Sequence, residues 1–214
     1  LAPSVRVVFC IILGRGGERC VRDKSGQYIT SEAVSRICSG DITAYEEFVR
    51  EQWTSAVRTC CLILRNPHDA EEAAQDAFVN LYKSRCQLRE PNKFRIWFYR
   101  ILVNAAQQRR RCQPKALSVS DIEVLAPGDK IEQTDTKIAI RDVMHDMGKP
   151  ERIALVLCYF CDLTDREASI AAGWSLGTYK WRLAKARRQM ARRLKENQAL
   201  KDECCKGVNE PWMK

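Results

Sequence analysis

The sequence predicts an all-α protein made of two small helical bundles joined by a flexible linker. Helix-favouring residues are abundant, and the 214 residues include only 10 glycines and 7 prolines. Apolar side chains recur at spacings of three and four along most of the chain, which is the period of an amphipathic helix. The alternation of apolar and polar residues that indicates a strand is not convincing anywhere. The helical period stops over residues 112–133, which separates the helices into two groups.

Composition and charge narrow the functional classes. Hydrophobic residues make up 45% of the chain and charged residues 29%, which is typical of a globular protein and argues against disorder or several membrane spans. The formal net charge is +9. Eight basic residues and no acidic one lie within 180–195, and Arg109, Arg110 and Arg111 form a second cluster. Such clusters suit a polyanion, because binding to phosphates releases counterions; a solvated helix face is the alternative.

The apolar run over 7–13 does not predict membrane insertion. It is far shorter than the roughly 20 residues that cross a bilayer, and Gly14 to Arg19 after it lacks the small-residue site of a signal peptide. Eleven cysteines that are best explained as reduced thiols predict a cytoplasmic protein. The predicted segments are an N-terminal extension of unknown role (1–29), a first domain (30–112), a linker (113–134), a second domain (135–197) and a polar, cysteine-containing tail (198–214).

The first two predicted helices are short and long, respectively. Ala33, Val34 and Ile37 predict a helix that ends at Ser39-Gly40. A second helix begins after Asp41 and ends at Asn66-Pro67-His68, because proline disfavours helix in the residue before it. Its apolar stripe consists of Tyr45, Phe48, Val49, Trp53, Val57 and Cys60.

The third predicted helix has one apolar and one polar face. We expect Asp69 to cap it and Glu71 to favour its first turn, and we expect it to end near Ser84. Its apolar stripe is Ala70, Ala74, Ala77, Phe78 and Leu81, and its opposite face carries Glu72, Gln75, Asp76, Val79 and Lys83. A polar loop over 85–92 leads to a fourth helix over 94–111, which is rich in aromatic residues and ends in basic ones.

The second group of helices contains a predicted helix-turn-helix. Helical pattern runs from about 135 to 197 and breaks at 148–150, 162–164 and Gly173. Thr164 and Glu167 have the spacing of a capping box, and Ser175 can cap the helix that follows. In such a motif the second helix enters the major groove of DNA. One face of that helix is predicted to pack inward (Leu176, Tyr179, Leu183, Ala186, Met190, Leu194), and the other faces outward (Thr178, Trp181, Lys185, Arg188, Arg192, with Lys180 at the border).

Two blocks of the sequence resemble bacterial sigma factors. The run from Asp69 to Phe78, with Phe94 to Ile101 and Asn104, resembles conserved region 2, and Pro150 to Arg188 resembles region 4. The short linker is similar to that of the extracytoplasmic-function class of the sigma-70 family. The resemblance covers about two thirds of the chain. It implies a subunit that directs RNA polymerase to promoters, with no catalytic residues and no cofactor.

The resemblance also implies which residues bind which partner. The polar face of the third helix would dock on the β′ clamp helices of core RNA polymerase. The chain would bind promoter DNA at the −10 and −35 elements. The resemblance leaves open whether an anti-sigma factor binds the chain. The implied −10 contacts are Asn92, Lys93, Arg95, Arg100, Asn104 and Arg109. Trp97 and Tyr99 are either aromatic contacts to the same strand or core residues, and the core is favoured for Trp97. The implied −35 contacts are Thr178, Lys180, Trp181, Lys185 and Arg188.

Eleven cysteines leave a further alternative open. Their odd number and their position in apolar runs favour reduced thiols that pack as small hydrophobic side chains. Cys158 and Cys161 with Cys204 and Cys205 could instead bind zinc or respond to oxidation, although two adjacent cysteines fit one tetrahedral site poorly. The other functions considered are an ordinary helix-turn-helix regulator and a thiol- or metal-responsive interaction protein. We predict no metal site.

Overall fold

The structure, a computed structural model, describes residues 29–109, 144 and 146–206, with side chains as far as residue 193. All regular elements in these ranges are helical, which confirms the predicted all-α fold. The helices are, in chain order, α1 (Ser31–Ser39), α2 (Ile42–Leu64), α3 (Pro67–Ser84), α4 (Phe94–Gln108), α5 (Lys149–Leu155), α6 (Asp165–Ala172) and α7 (Leu176–Lys206). Single 3-10 turns at Arg85–Gln87 and Pro91–Lys93 connect α3 to α4, and a π-helical turn, Val156–Phe160, continues α5.

Helix ends in the first half follow the sequence closely, with one correction. Gly40 ends α1 in the left-handed region (φ 96°), and Asp41 caps α2 by accepting hydrogen bonds from two backbone N–H groups. The prediction that Asp69 caps α3 was wrong. Asn66 is the cap, since its side chain accepts from the N–H groups of His68 and Asp69. Pro67 follows as the first helical residue, where the missing N–H costs nothing.

The core of the first half lies between α2, α3 and α4. The Phe48 ring packs edge-on against Phe94 and Phe98, with ring centroids 5.1 and 5.3 Å apart. The predicted apolar stripe of α3 is buried together with Ala73. This alanine-rich face lets α3 approach α2 closely and leaves its opposite face outside the core.

The second half packs α7 against α5 and α6. Tyr179 is fully buried, and its hydroxyl donates to the Ala154 carbonyl at 3.1 Å. Leu183 and Met190 continue the buried stripe. Leu176 does not belong to it, contrary to the prediction, because it starts the first turn of α7 and is 40% exposed. Leu194 lies beyond the described side chains.

The two halves pack directly on each other. We call this contact the seam and define it by Arg95, Lys149 and Arg152. Arg152 is buried and donates twice to the Ile63 carbonyl, at 2.9 and 3.1 Å, and Lys149 donates to the Ala106 carbonyl at 2.7 Å. These carbonyls lie in the last turns of α2 and α4, where helices leave acceptors unpaired and favour cations. The predicted linker, 113–134, lies outside the described residues.

Other predictions concern residues that the structure describes only in part. The N-terminal extension falls outside the described residues, apart from Ile29. The backbone of α7 continues to Lys206, beyond residue 197 where the helical pattern was predicted to end, so the segment with Cys204 and Cys205 is helical. Among the helices that the structure describes, none has both the length and the apolar character that crossing a membrane requires.

Candidate functional site

The polar face of α3 is open to solvent. Gln75, Asp76, Val79 and Lys83 are exposed, and Glu72 is half-buried. Val79 is an apolar side chain with 49% of its surface exposed. An exposed aliphatic group with polar neighbours is compatible with a protein interface, in which a polar rim surrounds an apolar centre. The structure therefore brings together the five residues assigned to polymerase binding on one outward surface, which we call the α3 face.

Arg109, at the end of α4, contacts the α3 face. One guanidinium nitrogen, Nη1, binds the Glu72 carboxylate, and the other, Nη2, binds the Asp76 carboxylate. The hydrogen bond to Asp76 and the charges of both carboxylates raise the pKa of Arg109 above its ordinary value. A residue assigned to the −10 set is thus joined to two residues assigned to the polymerase set.

The remaining −10 residues do not all face one way. Asn92, Lys93, Arg100 and Asn104 are exposed along the turn before α4 and along the helix itself. Arg95 instead belongs to the seam, because its guanidinium donates to the carbonyls of Cys161 and Asp162. Lys93 pairs with Glu90 at 2.6 Å. The structure therefore places four of the six side chains on an open surface.

The aromatic residues of α4 belong mainly to the core. Tyr99 is buried, and Trp97 is half-buried and packs against the hydrophobic core. The Trp97 ring lies 6.0 Å from the Phe94 ring, centroid to centroid. The core alternative considered for these two residues matches their positions in the structure.

The helix-turn-helix is present as α6, a turn and the first half of α7. The Thr164 hydroxyl accepts from the Glu167 N–H, and the Glu167 carboxylate accepts from the Thr164 N–H, so the capping box is complete. Gly173 ends α6 in the left-handed region at φ 70°. The Ser175 hydroxyl accepts from the Thr178 N–H at 3.1 Å and so caps α7, as expected.

The outward side of α7 carries the predicted −35 residues. Thr178, Lys180, Trp181 and Arg188 are exposed, and Trp181 has 58% of its surface in solvent. The Lys185 ammonium lies 5.3 Å from the centre of the Trp181 ring. Cations next to an exposed aromatic ring can bind phosphates and base edges while the ring makes apolar contacts. This surface is therefore suited to the major groove.

Two contacts near α7 were missed by the sequence reasoning. Glu151 accepts a hydrogen bond from Lys185 at 2.8 Å. Burial opposes ionisation of Glu151, but this hydrogen bond and the charge of Lys185 hold the pKa of its carboxyl below the ordinary value. Arg182 stacks over the Trp174 ring at 4.1 Å. Each pair joins residues on different elements, so helical periodicity contains no signal for either contact. The basic run marks Lys185 and Arg182 but not their partners.

The six cysteines whose side chains the structure describes are thiols and form no disulfide with one another. Cys60, Cys61 and Cys161 are buried, and burial raises the pKa of Cys60 well above its usual range. A raised pKa makes a thiol a poor nucleophile and metal ligand at neutral pH. This favours the packing role; the side chains of Cys204 and Cys205 lie outside the described set, so the four-cysteine zinc alternative stays untested.

In the comparison with known proteins, a family model matches the first of the two blocks, and relatives match most of the chain. A family model for sigma-70 region 2 matches residues 45–115. The ECF RNA polymerase sigma factor SigM of Mycobacterium tuberculosis is 27% identical over 187 residues, which cover 87% of this chain and 91% of SigM. SigW of Bacillus subtilis is 23% identical and is matched over 99% of its length.

The chain is therefore similar to sigma factors of the extracytoplasmic-function class, and part of it matches the sigma-70 family. Two solved structures share its fold. CnrH, in complex with the cytosolic domain of CnrY, has a TM-score of 0.58 and 18% identity over 78% of this chain and 97% of its own. RpoE of Bartonella quintana, in complex with the anti-sigma factor NepR, has a TM-score of 0.53 and 18% identity over 70% and 98%, respectively. The region 2 match in this chain contains the α3 face, all of α4 and Arg109.

Proposed function

We propose that this chain is a sigma factor that binds core RNA polymerase through the α3 face and directs it to specific promoters. The observation that carries the proposal is the presence, in one chain, of an open α3 face and a helix-turn-helix whose second helix exposes Trp181 among cations. A regulator that only binds DNA has no need of the first surface. The role requires no reaction by the chain itself.

The two halves have different binding roles at the promoter. Residues 30–112 form the region 2-like domain and contact the β′ clamp helices and the −10 element. Residues 135–197 form the region 4-like domain, in which Thr178, Lys180, Trp181, Lys185 and Arg188 read the −35 element. Residues 113–134 link them. Exposed cations along a single strand and base contacts in the major groove are the chemistry that these two elements require.

The site of action and a further partner follow from the same role. RNA polymerase acts on the chromosome, so we place this sigma factor in the cytoplasm. Two structural neighbours were solved in complex with a partner, and one of those partners is named an anti-sigma factor. On that basis we propose that a protein of the anti-sigma type binds this chain and holds it inactive.

A binding experiment with core polymerase tests the proposal. The purified chain should elute with core RNA polymerase as a one-to-one complex in size-exclusion chromatography. The double variant Gln75→Ala, Asp76→Ala should lose much of this complex, because both side chains belong to the α3 face. The control Glu46→Ala, Glu47→Ala changes two exposed residues of α2 and should bind normally. A folded wild-type chain that forms no complex would refute the proposal.

A further inference from the structure

Arg109 was assigned to the −10 strand from a resemblance, but its contacts indicate a different role. We infer that Arg109 is a positioning residue of the α3 face, which holds Glu72 and Asp76 in place for core polymerase. This inference rests on the proposed function of that face. It assigns Arg109 to the surface that binds polymerase instead of the surface that binds DNA.

The first step of the argument is the geometry of the contact. Glu72 and Asp76 are four residues apart on α3, so they are neighbours on one face and repel each other as like charges. The Arg109 guanidinium contacts both carboxylates, one with each terminal nitrogen. A planar group with donors in fixed directions can connect two carboxylates in this way, whereas a single ammonium is a point charge. The contact therefore offsets the repulsion and orients both acids.

The second step is that the contact leaves little of Arg109 for DNA. Only 27% of its side chain is exposed, and its guanidinium is paired with two carboxylates. A phosphate that approached Arg109 would also meet those two negative groups, which repel it. Arg100 and Asn104 are exposed on the same helix. These two residues are better placed than Arg109 to bind the −10 strand.

The third step is that the two acids stay available to a partner. The side chains of Glu72 and Asp76 are 39% and 54% exposed, and the exposed Val79 lies next to them on the α3 face. An ionised carboxylate has about four acceptor positions, so the bond to Arg109, with the further contact of Glu72 to His68 Nδ1 at 3.3 Å, leaves others open. Side chains that are already ordered lose less entropy when a partner binds. Arg109 should thus strengthen polymerase binding without touching polymerase.

The test measures polymerase affinity for a graded set of variants. Arg109→Ala should weaken binding of the full-length chain to core RNA polymerase about three- to tenfold, the effect expected when one or two side chains must be ordered on binding. Arg109→Lys should lie between wild type and Arg109→Ala, because an ammonium pairs with one carboxylate at a time. The control Arg36→Ala removes an exposed ion pair with Asp41, 2.7 Å long, outside the α3 face, and should bind as wild type does.

A second readout separates positioning from DNA contact. Holoenzyme assembled at saturating polymerase is titrated with a promoter fragment that the wild-type holoenzyme selects from genomic DNA. Arg109→Ala should leave this affinity unchanged, whereas Arg100→Ala should lower it. Circular dichroism and thermal melting confirm that each variant is folded.

The outcomes distinguish this inference from the proposed function. Polymerase affinity that is unchanged or higher in Arg109→Ala would overturn the positioning role. Loss of promoter affinity at saturating polymerase would return Arg109 to the DNA surface and also overturn it. A wild-type chain that does not bind polymerase at all would overturn the proposed function, and this inference with it.

Discussion

Glu151 shows how a single buried acid shapes the DNA-reading surface. Its residue surface is only 7% exposed, and its carboxylate accepts from Lys185, a proposed −35 contact. Gly148 leaves the room for this carboxylate, because a Cβ at that position would lie 2.5 Å from Glu151 Oε2. The ionised acid therefore ties the start of α5 to α7 and orients the lysine. The sequence marks Lys185 by its place in a basic run, but nothing local marks Glu151.

The Glu151 contact predicts how stability depends on pH. The pKa of Glu151 in the folded chain is lowered from 4.5, so the ionised acid stabilises the fold at higher pH. This contribution is fully present above about pH 4.5, the unfolded value, and is lost as the pH falls through the lowered pKa. Glu151→Gln should therefore unfold at lower urea concentration at pH 7 and lose less stability than wild type on acidification to pH 3.

The same titration with Glu47→Gln provides the control, since Glu47 is exposed. An acid dependence of Glu151→Gln as steep as that of wild type would show that the Glu151 contact contributes nothing to stability.

At the scale of single elements, short motifs predicted helix ends well and first-turn residues less well. The capping box of Thr164 and Glu167 and the cap at Ser175 are present as expected, because each is a contact between residues three apart. Asp69 and Leu176 were misassigned. A better cap, Asn66, comes three residues before Asp69, and Leu176 begins a helix whose packing starts at Tyr179. Periodicity predicts on which face of a helix a residue lies, but it does not predict at which residue the helix begins to pack against other elements.

Replacing either of two glycines in the helix-turn-helix by alanine should change the free energy of unfolding in opposite directions. Gly173→Ala should lower the free energy of unfolding by about 1–2 kcal/mol, because alanine is strained in the left-handed region. A Cβ at Gly173 would have no atom within 4 Å, so packing neither adds to nor offsets this strain. Gly177→Ala, within α7, should instead raise the free energy of unfolding by about 0.5–1 kcal/mol, because alanine favours helix.

Chemical denaturation of both variants checks this pair. Equal effects of the two substitutions would contradict the conformation described for the turn.

At the scale of the whole molecule, the seam is the feature that the sequence did not predict. Two bundles on a tether were expected, whereas Arg152 donates to the carbonyl of Ile63, 89 residues earlier in the chain. Backbone carbonyls are present at every residue, so no residue type at position 63 indicates that it receives a cation. The fold class and the outward faces of α3 and α7 follow from local periodicity. The packing between halves depends on contacts that local pattern does not contain.

The seam predicts that removing one buried cation destabilises both halves together. Arg152→Met should lower the free energy of unfolding by about 1.5–3 kcal/mol, the range for hydrogen bonds to charged groups. It should also speed hydrogen exchange at the ends of α2 and α4. Arg89→Met, at an exposed position, is the matched control.

Denaturant unfolding and hydrogen exchange measure these effects. Wild-type stability and wild-type exchange at both helix ends in Arg152→Met would contradict the described seam.

Transcription in vitro tests the central claim most directly. Core RNA polymerase is given this chain and fragmented genomic DNA, and the 5′ ends of the transcripts are mapped. The account predicts discrete start sites that appear only with the chain and share −10 and −35 elements. Arg188→Ala, at an exposed position of the same surface, should reduce initiation at these sites about tenfold, as expected for loss of one base or phosphate contact. The same transcripts with and without the chain, while the chain is folded, would contradict the account.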